Sequence, residues 1–475
     1  MTQAYISSQV AHGLFGHEAI FLKHAQVWPK QVALSIDSRT TPENSIFFAI
    51  KGEFADGHDF IDMAFTQGAL IAIAQKNHRL NSKFKNRDII WVENPLETYS
   101  QAARDHLRSM PAQKLALTGS NGKTTTKEMI KSALVKIFGP EQIFASPGNK
   151  NNHFGVPESA LQVRPEHKIA LFEMGMNHAG EIEKLCKIIE PSLGLITNIS
   201  MAHEGFFSDG INGVQKAKAE LFDALKSHGK AVVNLDDERV QVEASKRRFA
   251  STTSFGASSQ AQLRILDRSS YSLEKGFQEI FIQIENQEPL KVLCPLPGAH
   301  QASNVAAALA VIHALGLCVK KAALGIASMT LTPGRLSLTQ YKNILVINDG
   351  YNANPASMRS GIQATLELPA TRRIGVIGAM GELGKESPRF HFELGELLAR
   401  DFAYLLVCGA DAQPIVEGAK SAGLEPEKII FSPVSSQLIE PLRALIQAGD
   451  LIFIKGSLSA NMAVVVKALE DFCVL

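Results

Sequence analysis

Residues 115–138, LALTGSNGKTTTKEMIKSALVKIF, constrain the fold more than any other stretch of the chain. Leu115 to Thr118 is a short apolar run suited to a buried strand. Gly119, Ser120, Asn121 and Gly122 form a tight loop. From Lys123 onward, Met129, Ile130, Ala133, Leu134 and Ile137 fall at helical spacing. Strand, glycine-rich loop and helix together turn backbone N–H groups and a helix N-terminus toward one anion. In that setting the Lys123 ammonium can reach β- and γ-phosphates, and the Thr124 hydroxyl can hold Mg²⁺. The pattern G-x-x-x-x-G-K-[ST] is not met, because Leu117 stands at its first glycine. A Gly-Lys-Thr tripeptide alone can be an ordinary turn; the flanking strand and helix are what favour phosphate binding. The run Thr124–Thr125–Thr126 points the same way, since β-branched residues are mediocre helix formers and function explains them better than propensity.

The rest of the chain must be large enough to present such a loop with its substrates. At 475 residues it should hold about three domains. It is 45% hydrophobic and 20% charged, an ordinary balance that can build several cores. A net charge of +1 gives no footing for nucleic acid or an acidic membrane. Five scattered cysteines (Cys186, Cys294, Cys318, Cys408, Cys473) without CxxC spacing fit reduced thiols and a cytoplasmic location. The start MTQAYISSQVAHGLF lacks the basic-then-apolar form of a signal peptide, and no apolar run approaches a membrane span.

Residues 1–110 read as a small α/β domain with strands at Val32–Ile36, Ser45–Ile50, Leu70–Ala74 and Asp88–Val92. Ser38 and Arg39 follow the first, and Lys51-Gly52 follows the second. Polar groups past strand ends are where α/β sheets meet ligands, so Ser38, Arg39 and Lys51 can hold a diphosphate or a uracil. Solvated turn residues are the competing reading, and on spacing alone the stronger one.

Residues 111–330 alternate strands with helices. In SPGNKNNHFGVP, Asn149, Asn151 and Asn152 can bind substrate or simply cap a helix and make turns. A strand at Lys168–Phe172 delivers Glu173 at its end; beside a phosphate loop, a carboxylate there is an expected Mg²⁺ ligand. A further strand, Gly194–Asn198, is followed by His203, which can be structural or can join the same site. Residues 211–226 form an amphipathic helix in which Lys218 borders the apolar stripe. A buried lysine of lowered pKa can take up CO₂ as a carbamate; a snorkelling surface lysine is the ordinary alternative. Residues 251–295 read as short β segments. His300 and Asn304 enter an alanine-rich helix one turn apart on one face.

Residues 331–475 restart at Thr332-Pro333-Gly334-Arg335 and then alternate strands (Ile344–Asn348, Ile374–Ile377, Tyr404–Cys408, Lys428–Phe431, Leu451–Ile454) with helices, as in a doubly wound sheet. IGAMGELG has the wrong spacing for a dinucleotide fingerprint and lacks the ribose-binding acid. Asp349-Gly350-Tyr351-Asn352-Ala353-Asn354-Pro355 after the first strand reads as a binding loop.

Through GSNGKTTTKEM and DGYNANPASM, the whole chain resembles the Mur ligase family of peptidoglycan biosynthesis, whose phosphate loop is Gly-x-Asn-Gly-Lys-Thr-Thr and so accounts for Leu117. The resemblance implies a three-domain α/β fold. It comprises an N-terminal UDP-sugar-binding domain (1–110), a central P-loop-type ATP-binding domain with a mostly parallel sheet (111–330), and a C-terminal Rossmann-like domain for the incoming dipeptide (331–475). It implies ATP contacts from Gly119, Ser120, Asn121, Gly122, Lys123, Thr124, Thr125, Asn304, Arg335 and Asp349. Metal would be held by Thr124, Glu173, His203 and a carbamylated Lys218, with Lys123, Glu173, His203 and Lys218 catalytic. Ser38, Arg39, Lys51, Gly52, Asn149, Asn151, Asn152, Tyr351, Asn352 and Asn354 would meet the substrates. Two departures stand out. The acidic pair usual before Tyr-Asn-Ala-Asn is Asn348-Asp349, and the run Ala202-His203-Glu204-Gly205-Phe206-Phe207 is one residue short, which leaves the role of Glu204 open.

The implied reaction joins D-alanyl-D-alanine to UDP-N-acetylmuramoyl-tripeptide through an acyl phosphate, using ATP and two Mg²⁺ ions, in a monomeric protein. Carboxylates lack a usable leaving group, and phosphorylation supplies one; Lys123, Arg335 and Mg²⁺ would neutralise the crowded charge. The rivals are a sister ligase adding another amino acid, a small-molecule kinase and a nucleotide-dependent switch. Tyr351-Asn352-Ala353-Asn354 argues against the first, and the Glu173, His203 and Lys218 set against the last.

Overall fold

The computed structural model describes residues 4–7, 31–80, 83–84, 87–200, 204–207 and 209–474, and these gather into two compact units. The first comprises Met1–Ala116, Glu141–Gly175 and Glu181–Ser192; the second comprises Leu117–Pro140, Met176–Gly180 and Leu193–Leu475.

In the first unit, β1 (Ala4–Ser7), β2 (Gln31–Ser35), β3 (Ser45–Phe48), β4 (Ala69–Gln75) and β5 (Ile89–Val92) make a sheet in that order. β1 is antiparallel to β2 and all other neighbours are parallel. β3 and most of β4 are buried, which is why their sequences run apolar rather than alternating. β1 has no counterpart in the sequence reading, because AYIS is too short to signal a strand. Asn94 and Pro95 start the helix Pro95–Arg108: the Asn94 side chain accepts from the N–H of Leu96 and Glu97 at 3.0 and 3.2 Å. Its Tyr99 packs edge-on to Phe48 with ring centroids 5.1 Å apart. The unit also holds β7 (Ile143–Ala145), parallel to β8 (Ile169–Glu173).

β6 (Gln113–Thr118) begins in the first unit, where its order is β6-β8-β7, and its last residues belong to the second. There the order runs β14-β13-β12-β11-β10-β9-β6, with β9 (Leu193–Ile196), β10 (Lys230–Asn234), β11 (Ser251–Gly256), β12 (Leu263–Arg268), β13 (Gln278–Ile284) and β14 (Leu290–Cys294). β9 to β12 are parallel; β13 and β14 add as antiparallel strands, the short β segments expected over 251–295. The helix Lys123–Phe138 follows β6 directly and buries Met129, Ile130, Ala133 and Leu134.

A six-stranded sheet completes the second unit. Its strands are β15 (Ser337–Tyr341), β16 (Ile344–Asp349), β17 (Arg372–Gly378), β18 (Tyr404–Cys408), β19 (Ile429–Ser432) and β20 (Asp450–Lys455), in the order β15-β16-β20-β17-β18-β19. All pairs are parallel except β15 with β16. β20 is buried along its length: Leu451 and Phe453 enter one apolar layer, Ile452 and Ile454 the other. β15 was not foreseen, since SLTQY is half polar and serves as an exposed edge. Among the described residues no helix is long and apolar enough to cross a membrane. Cys186, Cys294 and Cys408 are buried free thiols and Cys318 an exposed one.

Candidate nucleotide site

The loop after β6 is gripped from β9's continuation. Ser120 N–H donates to the Asn198 carbonyl at 2.9 Å, and Asn121 N–H donates to Asn198 Oδ1 at 3.0 Å. The Asn121 carbonyl accepts from Thr197 Oγ1 at 2.7 Å and from Asn198 Nδ2 at 3.0 Å. Ser120 Oγ and Asn121 Nδ2 reach the Ser200 carbonyl and hydroxyl, each at 3.0 Å. Such closeness leaves no room for side chains at the two glycines. A Cβ at Gly119 would lie 1.9 Å from Thr197 Oγ1; one at Gly122, where φ is +78°, would lie 2.5 Å from Asn304 Oδ1. Lys123 Nζ donates back to the carbonyls of Gly119 and Ser120 at 2.8 and 3.3 Å, which holds the ammonium over the loop.

Thr124 is buried in the first turn of the helix and Thr125 lies partly exposed beside it. Thr126 Oγ1 starts a directed chain. It donates to Asn304 Oδ1 (3.3 Å), Asn304 Nδ2 donates to Gln301 Oε1 (2.9 Å), and the Gln301 amide meets His300 Nε2 (3.0 Å). The polarity requires His300 Nε2 to accept, so the imidazole is neutral; burial pushes its pKa down to about 4 despite the opposing pull of Asp349. Gln301 carried no signal in the sequence, yet it is the link that joins His300 to Asn304.

From the third sheet, Arg335 Nη2 donates to Thr124 Oγ1 at 3.3 Å, and the guanidinium lies 4.2 Å over the Tyr351 ring. Arg335 Nε is buried with no hydrogen-bond partner among the described residues, as suits a donor kept for an anion. Asn354 does two jobs. It caps the helix Pro355–Leu366 in a reciprocal box with Ser357, and its Nδ2 donates to Asn121 Oδ1 at 2.8 Å. The Asn352 side chain bonds to Ala353 N–H at 2.9 Å, within its own turn. Asp349 Oδ1 accepts from Leu336 N–H at 3.2 Å, and Oδ2 is paired with Lys455 Nζ.

Lys218, in the helix Ile211–Leu225, is only 1% exposed. The snorkelling alternative therefore fails. The helix turns this position inward with Val214, Ala217 and Leu221, and helical spacing alone could not decide the edge of the stripe. Burial, reinforced by the charge of Lys123, holds its pKa well below the usual lysine value.

In the first unit, Glu173 ends β8 and is 2% exposed; Asn151 Nδ2 donates to its Oε1 at 2.9 Å, and its own N–H donates to Ser146 Oγ at 3.0 Å. Asn152 Oδ1 accepts from the N–H of Phe154 and Gly155, which makes it a turn and helix-start residue, while Asn149 is exposed. Ser38 is buried with its hydroxyl 3.4 Å from Met63 Sδ, and exposed Arg39 is paired with Asp37. Lys51 is exposed, and Gly52 N–H closes a turn onto Ala55 at 2.8 Å. Asp56, His58 and His78 cluster below that turn, but every ring nitrogen is engaged. Both imidazoles hydrogen-bond Asp56 and accept a backbone N–H, from Gln75 and Leu80, and they stack 3.9 Å apart, so their lone pairs do not converge on an ion. His203 lies outside the described residues.

Three family models match the chain: "Mur ligase family, catalytic domain" over residues 32–114, "Mur ligase middle domain" over 117–312, and "Mur ligase, glutamate ligase domain" over 334–458. A UDP-N-acetylmuramoyl-tripeptide–D-alanyl-D-alanine ligase from Rickettsia prowazekii is 33% identical over 432 residues, 89% of this chain and 92% of the relative. The crystal structure of MurF from Acinetobacter baumannii superposes with a TM-score of 0.84 at 27% identity over 100% of both chains. MurF ligase from Thermotoga maritima in complex with ADP gives 0.79 at 29% identity, over 93% of this chain and 97% of that one.

Proposed function

The chain belongs to the Mur ligase family, and we infer that it is the ATP-dependent ligase that joins D-alanyl-D-alanine to UDP-N-acetylmuramoyl-tripeptide in peptidoglycan precursor synthesis. The observation that carries the reading is the junction at the phosphate loop. Arg335, just before β15, and Asn354, after β16, hydrogen-bond to Thr124 in the first turn of the helix and to Asn121 in the loop. A guanidinium brought to the helix N-terminus that receives phosphate is the device that neutralises a phosphoryl group in transfer.

In this reading the tripeptide's terminal carboxylate oxygen attacks the γ-phosphorus, the bond to the β,γ-bridging oxygen breaks, and ADP leaves. The amine of D-alanyl-D-alanine then attacks the acyl carbon, loses a proton and expels phosphate. Lys123 and Arg335 balance the charge that two anions bring together. By the family resemblance Mg²⁺ would be held by Thr124, Glu173, His203 and a carbamylated Lys218; in support, Thr124 and Glu173 are each buried oxygen donors, and the buried Lys218 amine with its lowered pKa suits carbamylation. Such an ion supplies Lewis-acid neutralisation of phosphoryl oxygens. Residues 1–110, 111–330 and 331–475 would serve in turn the UDP-sugar, ATP and the dipeptide, in a cytoplasmic monomer; Ser38, Arg39, Lys51, Gly52, Asn149 and Asn151 would meet the first substrate, with Asn152 shaping their loop, and Tyr351, Asn352 and Asn354 would meet the last.

The test is phosphate release from Mg-ATP by purified protein with the tripeptide nucleotide, with and without D-alanyl-D-alanine. Release that needs both, with a product of the pentapeptide nucleotide's mass, is expected. Release with neither, or only with a single amino acid and a shorter precursor, overturns the assignment.

A further inference from the structure

We propose that Lys455 is a positioning residue for nucleotide binding, acting through Arg335; the proposal rests on the ATP-binding reading above and names a part of that site. Lys455 ends β20, an interior strand of the sheet, and is 2% exposed. It is the direct register partner of Asp349, the last residue of parallel β16, so the two lie side by side on the sheet edge where ligands are met. An ammonium has three N–H donors. Its near acceptors all belong to one turn: Asp349 Oδ2, the Asp349 carbonyl at 3.5 Å and the Asn352 carbonyl at 3.0 Å. A buried lysine left to itself would be costly; here the whole of its bonding capacity goes to fixing residues 349–352.

That turn aims Arg335 by two routes. Asp349 Oδ1 holds Leu336 N–H, and Leu336 is a buried, non-glycine residue at φ +52°, a conformation that persists only where its surroundings impose it. Tyr351, inside the turn, is bonded by its N–H to the Gly334 carbonyl at 3.2 Å and provides the face on which the Arg335 guanidinium rests. Arg335 is thus clamped from both chain neighbours and from below, with its Nη2 at Thr124. Released from Lys455, the turn loses its counter-charge and its carbonyl clamp, and Arg335 loses its direction.

The experiment is a double-mutant cycle on the full chain with K455M and R335A, read as affinity for a non-hydrolysable ATP analogue with Mg²⁺ by calorimetry and as kcat/KM for ATP. K455M should weaken both at least tenfold, with KM for D-alanyl-D-alanine changed less than threefold, and should cost less than threefold once Arg335 is already alanine. Equal costs in both backgrounds, or a change under twofold in K455M alone, overturn the proposal. If K455M does not fold, the same cycle is run with D349N as the reference, comparing D349N with D349N/K455M, each with and without R335A, so that no unpaired carboxylate is buried. Wild-type protein that binds the analogue but ligates nothing refutes the proposed reaction while the binding cycle still decides the role of Lys455.

Discussion

Gly122→Ala puts the phosphate loop under a load that can be worked out in advance. At φ +78° and ψ −4° the residue is left-handed, where an alanine costs about 1–2 kcal/mol. The added Cβ would stand 2.5 Å from Asn304 Oδ1, so the amide must retreat by most of an ångström. It is held in place at 3.3 Å by Thr126 and at 2.9 Å by Gln301, and losing either bond costs roughly 0.5–1.5 kcal/mol. The sum is about 3 kcal/mol; a free loop that relaxes out of this geometry must regain it on binding nucleotide, which is near a hundredfold in affinity at 1.4 kcal/mol per decade. In an Asn304→Ala background the steric part vanishes, and about 1–2 kcal/mol, roughly tenfold, remains. A chain of this size need not melt in one step, so the readout is calorimetric affinity for a non-hydrolysable ATP analogue with Mg²⁺ rather than a denaturation midpoint. G122A that binds within threefold of wild type, or that costs the same factor with and without Asn304, refutes the packing argument.

His300 sets an acid limit: neutral in the folded chain down to about pH 4, it takes its proton near 6.5 when unfolded, so the unfolded state binds more protons between those values. Its contribution is complete above pH 6.5 and falls by up to about 3 kcal/mol toward pH 4; the thermal midpoint should drop over that window, and H300Q, which cannot titrate, should flatten the drop. Asn354→Ala should remove about 1 kcal/mol of helix capping and also weaken the ATP analogue several-fold through lost contact with Asn121, whereas Asn354→Asp should restore the cap without the donor; equal nucleotide affinity in both variants and wild type would show the Asn121 contact to be idle. Exhaustive removal of CO₂ should lower kcat several-fold, with recovery on adding bicarbonate, if the Lys218 amine is carbamylated; activity indifferent to bicarbonate in wild type excludes that chemistry.

Much of this was legible in order along the chain, and the reason is locality. A strand, a four-residue turn and an amphipathic helix fall within residues 115–138, so their spacing alone encodes an anion-binding turn. The parallel strands of the third sheet, β16 to β20, were readable because strands covered on both faces run apolar, whereas the polar edge strand β15 was not. Lys218 shows where periodicity stops: a residue at the border of a helical stripe is inside or outside according to what packs on it, and here it is buried. Asn152 and Asn354 look alike in sequence; the first serves its own turn, while the second also crosses to the phosphate loop. Lys455 was invisible, 106 residues from Asp349 and unremarkable at the end of an apolar run. It meets Asp349 only because β20 inserts beside β16, ahead of the strands that precede it in the chain. The sequence by itself determined the apolar strands and the strand, turn and helix of residues 115–138, since those follow from local spacing and backbone geometry. The tertiary structure decided which side chains converge there, because strand order and burial are properties of the packed sheet and not of any single segment.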